Sequence, residues 1–235
     1  GGIRSALAET SHQYQRHSCP RSVRTPRGPE TRLHMITMNT RLAVASVLAA
    51  VLASALPGTA VGLADVLDTP AQVSPLAAHS VMQAVARAGD RLVAVGQRGH
   101  VVVSTDGGKT WRQSMIPVSS DLTAVYFVDG KEGWAVGHDG VVLHTADSGD
   151  SWQLQLDGRK ANDLLVGAME RKVATDSASE CAKALLAEAK RYQEQGADKP
   201  FLDVWFSDAR NGYIVGGYNL VFRTADGGKA WEPLF

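Results

Sequence analysis

The 235 residues are 44% hydrophobic, enough to fill a sizeable core, and 24 lysines plus arginines offset 24 aspartates plus glutamates. A chain without net charge has no global field to hold nucleic acid or an anionic membrane surface. Its two cysteines, Cys19 and Cys181, show no Cys-x-x-Cys or Cys/His metal spacing, which argues against a disulfide scaffold or a structural zinc site.

The first segment, residues 1–34, carries six arginines against two acids and starts at Gly1 rather than methionine. It has no apolar periodicity and reads as disordered or upstream-translated leader. Arginines scattered without interleaved aromatics do not make a nucleic-acid arm. Residues 35–64 read as a signal peptide: Arg41, an uncharged run from Leu42 to Leu56, then Pro57-Gly58 and small residues ending at Gly62-Leu63-Ala64. The apolar core is too short to span a bilayer, which takes ~20 residues. Export is therefore expected, to a periplasm, a thylakoid lumen in a photosynthetic host, or the outside.

Residues 65–235 repeat one pattern three times, in blades of about 78–112, 121–153 and 201–232. Each copy runs from an apolar strand through a glycine (Gly96, Gly137, Gly216) to a tryptophan (Trp111, Trp152, Trp231), always 15 positions later. Upstream strands Leu122–Phe127 and Leu202–Phe206 also match, so each unit reads as about four short strands. The 41-residue step from Trp111 to Trp152 falls within the ~40–50 of propeller blades and is too rich in strand for a helical solenoid. The fold class expected is all-β: a β-propeller of four-stranded blades, with three blades forming an incomplete ring because closure takes ~4–8.

The octets Ser104–Trp111, Thr145–Trp152 and Thr224–Trp231 fit the Asp-box pattern S/T-x-D-x-G-x-T/S-W, with Ala230 replacing the hydroxyl in the third. The expected structural residues are Ser104, Asp106, Gly108, Thr110 and Trp111, then Thr145, Asp147, Gly149, Ser151 and Trp152, then Thr224, Asp226, Gly228 and Trp231. In this pattern an aspartate accepts amide hydrogen bonds from a tight turn, a glycine supplies positive φ and the tryptophan covers the hairpin end. Equivalent blades point such aspartates to separate places, so catalysis or calcium binding at Asp106, Asp147 and Asp226 is not expected. His100, His138 and His144 show no ligand spacing and are expected on the surface. No cofactor or metal follows from these residues.

The 79 residues from Trp152 to Trp231 exceed one period by 38. This predicts a helical insertion over 158–199, with one amphipathic helix opened by Ser177-Ala178-Ser179-Glu180 and closed at Gly196 and Pro200. The helix either pads the propeller or recognises a partner. Trp205, Tyr213 and Tyr218 are candidates for partner contact, with core packing as the plainer reading.

The Asp boxes, with Gly133-Trp134-Ala135-Val136-Gly137 and Leu202-Asp203-Val204-Trp205-Phe206, make residues 78–235 resemble the photosystem II stability and assembly factor family of seven-bladed propellers. Asn219 departs from the pattern, standing where other copies have Gly99 and Gly140, and the chain stops after the third box, so either the sequence is a fragment, the favoured reading, or the missing blades come from other chains. The resemblance implies an exported, non-enzymatic protein that binds a membrane complex or its assembly intermediate, a fragment of a seven-bladed ring, with no small-molecule substrate. A sialidase-like glycoside hydrolase is the rival reading, but its set of arginines, a tyrosine–glutamate pair and an acid aspartate cannot be assembled here. An accessory module of an envelope transporter is a third.

Overall fold

A computed structural model describes residues 64–234. The leader, Cys19 and most of the signal segment lie outside the described residues. The first sheet contains β1 (Met82–Ala88), β2 (Arg91–Gly96), β3 (Val101–Ser104) and β4 (Arg112–Gln113). The second contains β5 (Leu122–Phe127), β6 (Gly133–Gly137), β7 (Val142–Thr145) and β8 (Gln153–Leu156). The third contains β9 (Phe201–Phe206), β10 (Gly212–Gly216), β11 (Val221–Thr224) and β12 (Glu232–Pro233). All three are four-stranded antiparallel meanders in sequence order, and their first strands β1, β5 and β9 lie side by side.

Alternation along the strands decides how the sheets stack, because successive side chains point to opposite faces. In the first sheet Val93 and Val95 pair with Val103 and Val101 across the β2–β3 ladder. These four share a buried cluster with Ala135, Val141 and Leu143 of the second sheet. Trp134, Val136 and Val142 leave the other face of the second sheet and join Val204, Phe206, Ile214 and Phe222 of the third. The second sheet therefore buries one face against the first sheet and the other against the third, which a lone four-stranded sheet cannot do.

The hairpins joining the second and third strands turn at Gln97–Gly99, His138–Gly140 and Gly217–Asn219, with paired left-handed residues at each turn: Arg98 and Gly99, Asp139 and Gly140, Tyr218 and Asn219. Two consecutive left-handed residues match the twist of a two-residue hairpin. Asn219 takes φ +60° where Gly99 and Gly140 take +68° and +65°. Its departure from the repeat thus keeps the backbone, since asparagine is among the residues that tolerate this region.

The insertion differs from the sequence expectation: it holds two helices, α1 (Gly158–Thr175) and α2 (Glu180–Gln195). The missed α1 is capped by Asp157, whose side chain accepts from the Lys160 amide, and buries Ala161, Leu165, Val166 and Met169 along one stripe. That stripe is narrow among charged residues, which hid its helical period. The cap of α2 is Ser179, accepting from the Ala182 amide, rather than Ser177. Buried Asn162 of α1 donates to the carbonyls of Tyr192 and Gly196, satisfying the end of α2 and fixing the hairpin.

Candidate partner-binding face

The three Asp boxes adopt one hydrogen-bonded turn. Ser104 Oγ donates to Asp106 Oδ1 at 2.8 Å and accepts from the Gly108 amide at 2.8 Å, while Asp106 accepts from the Thr110 amide and hydroxyl at 2.9 and 2.6 Å. Thr145, Asp147, Gly149 and Ser151 repeat these bonds within 0.3 Å. Thr224, Asp226, Gly228 and the Ala230 amide repeat all but the hydroxyl bond, which Ala230 cannot make. Trp111 and Trp152 donate their indole N–H to Gly108 and Gly149 at 3.1 Å, whereas buried Trp231 Nε1 finds no acceptor. Each carboxylate is thus held within its own turn. Trp152 and Trp231 are buried; Trp111, in the box with no sheet before it, is half-buried.

These bonds favour the ionised carboxyl. The side chain and amide of Thr110, then Ser104, pull Asp106 down to about 2. Asn211 and the amides of Arg210 and Asn211 do the same for Asp208 in the β9–β10 turn. Burial pushes Asp147 up, but Ser151 and Thr145 outweigh it and leave the group low; the Ala230 amide lowers Asp226. Folded values below the ordinary 3.8 contribute stability that is present above about pH 4 and lost as pH falls toward 2. Urea midpoints measured from pH 5 to pH 2 should therefore fall, and Asp106→Asn should flatten that fall while lowering the midpoint at pH 5.

The boxes also join neighbouring sheets. Ser114 Oγ, just after β4, donates to the Gly149 carbonyl at 2.6 Å, and Gln155 of β8 donates to the Gly227 carbonyl at 2.9 Å. Asp150, where the other boxes have lysine, bridges Arg91 at 2.7 Å and Arg112 of the first sheet. Sequence patterning missed these pairs, and the bidentate Arg159–Asp68 contact, because nothing local announces a partner dozens of residues away.

The histidines correct the surface expectation in two of three places. His138 is exposed, but His100 is buried against Ser80 Oγ at 2.9 Å. His144 is half-buried between Glu132 Oε2 at 2.8 Å and the Trp134 ring. Burial, and then the charge of Arg98, hold His100 below its ordinary 6.5 despite an opposing bond to the Gln72 backbone.

The three aromatic candidates are exposed among the described residues. Trp205 is 51% exposed, Tyr213 40% and Tyr218 60%. Trp205 and Tyr213 are register partners on β9 and β10, stacked with centroids 6.4 Å apart on the face of the third sheet away from the second. Tyr218 stands apart at the β10–β11 turn, in the left-handed region at φ +58°, a costly conformation for a bulky residue. Its ring meets Tyr192 of α2 edge-on at 5.9 Å. The nearly buried ammonium of Lys199 lies 5.0 Å from the Tyr192 ring and 5.1 Å from the Tyr218 ring, bonded to Gln195 and Asp198. The cation beneath the rings holds Tyr218 displayed above the helical hairpin.

Residues 75–180 match the model of the photosynthesis system II assembly factor YCF48 family. The chain is 29% identical over 146 residues to the photosystem II stability/assembly factor HCF136, chloroplastic, of Oryza sativa subsp. japonica, covering 57% of this chain and 35% of that protein. It is 32% identical over 87 residues to the Arabidopsis thaliana protein of the same name, covering 34% and 22%. The matches thus span about a third or less of those relatives. A solved structure of YCF48 bound to D1 peptide aligns at 19% identity and a TM-score of 0.44, over 66% of this chain and 40% of that one. The family-model match and the two curated relatives support a photosystem II assembly factor-like family.

Proposed function

We propose that this chain, similar over residues 75–180 to the photosystem II assembly factor family, is an exported, non-enzymatic protein that binds a membrane protein complex or its assembly intermediate. The family match carries the reading. Its three sheets are successive blades of a β-propeller, a reading supported by their identical strand order and face-to-face burial. The box aspartates serve architecture rather than turnover, a reading supported by the hydroxyl and amide bonds that each accepts within its own turn. Export rests on the 35–64 pattern, and among the described residues no helix is long and apolar enough to cross a membrane.

Within this reading Tyr218 is the partner-contact residue. It is an exposed aromatic held in a strained turn by a buried cation, the kind of pre-ordered anchor that binding surfaces favour. Affinity capture from host membranes with the tagged chain should recover a membrane complex, and Tyr218→Ala should lower recovery about tenfold, the effect of losing an anchor worth ~1.4 kcal/mol. Recovery of no membrane protein, or turnover of a sialoside by the purified chain, would sink the proposal.

A further inference from the structure

The seam between the first and second sheets and the seam between the second and third use equivalent positions, filled in opposite ways. A step of 41 residues takes Arg91, Lys109, Arg112 and Ser114 of the first sheet onto Glu132, Asp150, Gln153 and Gln155 of the second, and a step of 79 takes Asp150 onto Lys229 of the third. At the first seam Asp150 of the box bridges Arg91 and Arg112. At the second seam the box position is Lys229, and the sheet it docks on carries Glu132 and Gln153, with Glu132 held at that edge by His144 at 2.8 Å. The signs are reversed from one seam to the next.

The uncharged latch differs as well. Ser114 Oγ reaches the Gly149 carbonyl at 2.6 Å, whereas Gln155, at the same repeat position, reaches one residue earlier in the next box, to the Gly227 carbonyl at 2.9 Å. The space over the box glycine is filled accordingly. A Cβ at Gly149 would meet the Val93 methyls at 3.1 and 3.3 Å, and one at Gly228 would meet the Gln155 carboxamide oxygen at 2.0 Å. Methyl groups close the first seam at this point and an amide closes the second.

Exchanging the partners shows what these differences do. The second box placed on a second sheet would set Asp150 against Glu132, and the third box placed on the first sheet would set Lys229 against Arg91 and Arg112. Both wrong pairings bring like charges together, while both native ones set opposite charges against each other. The backbone offers no such discrimination, because strand order and box hydrogen bonds are common to all three sheets. Repeats of one fold are prone to exchange partners while folding, and like charges at an otherwise complementary surface refuse the wrong partner. We infer that Asp150 with Arg91 and Arg112, and Lys229 opposite Glu132, form a charge key that fixes which sheet follows which and keeps the second sheet of one chain from docking on the second sheet of another. The key acts in choosing the partner more than in holding it, since ion pairs as exposed as these contribute little once made.

A variant that copies the charges of the second seam onto the first separates choosing from holding. Asp150→Lys alone sets a third cation against Arg91 and Arg112 and should lower the urea midpoint. Adding Arg91→Glu and Arg112→Gln restores opposite signs across the seam and should return the midpoint to the native value, but it leaves both seams with the same key. A sheet cannot dock on itself, so the wrong pairing then allowed joins two chains. After the full chain is diluted from urea at micromolar concentration, sedimentation velocity should show the associated fraction of the triple variant about fivefold above that of the native chain, the ratio given by one exposed charge pair turned from repulsive to attractive. Ion pairs that only stabilise would leave the triple variant native in both measurements. A triple variant that refolds with no more association than the native chain therefore overturns the inference. So does one whose midpoint stays as low as that of Asp150→Lys, because Arg91 and Arg112 would then not be the partners that decide the seam. Neither result bears on the proposed function, which is read by membrane capture with the native chain.

Discussion

Trp134→Ala is expected to remove about 3–5 kcal/mol of unfolding free energy, read as a lower urea midpoint at unchanged slope. The indole is fully buried, stacked nearly parallel on Phe206 (9° between planes) and tilted against His144. It fills the seam between the second and third sheets, where Val204, Ile214 and Phe222 cannot collapse into the void without breaking their own ladders. Its Nε1 lacks an acceptor, so the ring contributes through packing, and the substitution strands no partner. Domains of this kind have ~5–15 kcal/mol in total, so this one side chain carries a large share. Trp205→Ala, at a site half open to water, should cost under ~1 kcal/mol. Equal losses at the two sites would mean that the seam is not where the packing energy resides.

The contrast between these two tryptophans also separates what was legible in the sequence from what was not. The glycine-to-tryptophan spacing announced three equivalent hairpins because turn chemistry is local: Asp106, Gly108 and Thr110 act on one another within a few residues. Which face of each strand meets which sheet was not legible, since Trp134 and Tyr213 occupy the same repeat position and differ in whether another sheet packs over them. Trp205 and Tyr213, exposed among the described residues, were therefore open to a core reading and a contact reading alike. The helix α1 escaped because its apolar stripe is narrow, and the Lys199 cage because a lysine beside Asp198 reads as a solvated loop until Tyr192 and Tyr218 are brought over it.

Gly140→Asn and Asn219→Gly exchange the residues that the repeat itself exchanges, and should have very unequal effects. Asparagine accepts the left-handed backbone at either turn, so φ is not the deciding cost. Space decides. A Cβ at Gly140 would lie 2.5 Å from the Gly158 Cα and 2.6 Å from its amide nitrogen, and these are backbone atoms at the start of α1. Gly158 cannot yield, because a Cβ there would meet Asp139 O and Ala197 at 2.8 Å, so the turn, the helix start and the chain leaving α2 are packed backbone to backbone. Gly140→Asn should thus cost about 3 kcal/mol, with α1 amides losing protection in hydrogen exchange first. Asn219 is exposed in its turn, and Asn219→Gly should cost no more than ~1 kcal/mol, through the added freedom of the unfolded chain. A Gly140→Asn chain as stable as the native one, with α1 still protected, would show that the turn does not abut the hairpin, and the insertion would then be free to move independently of the second sheet.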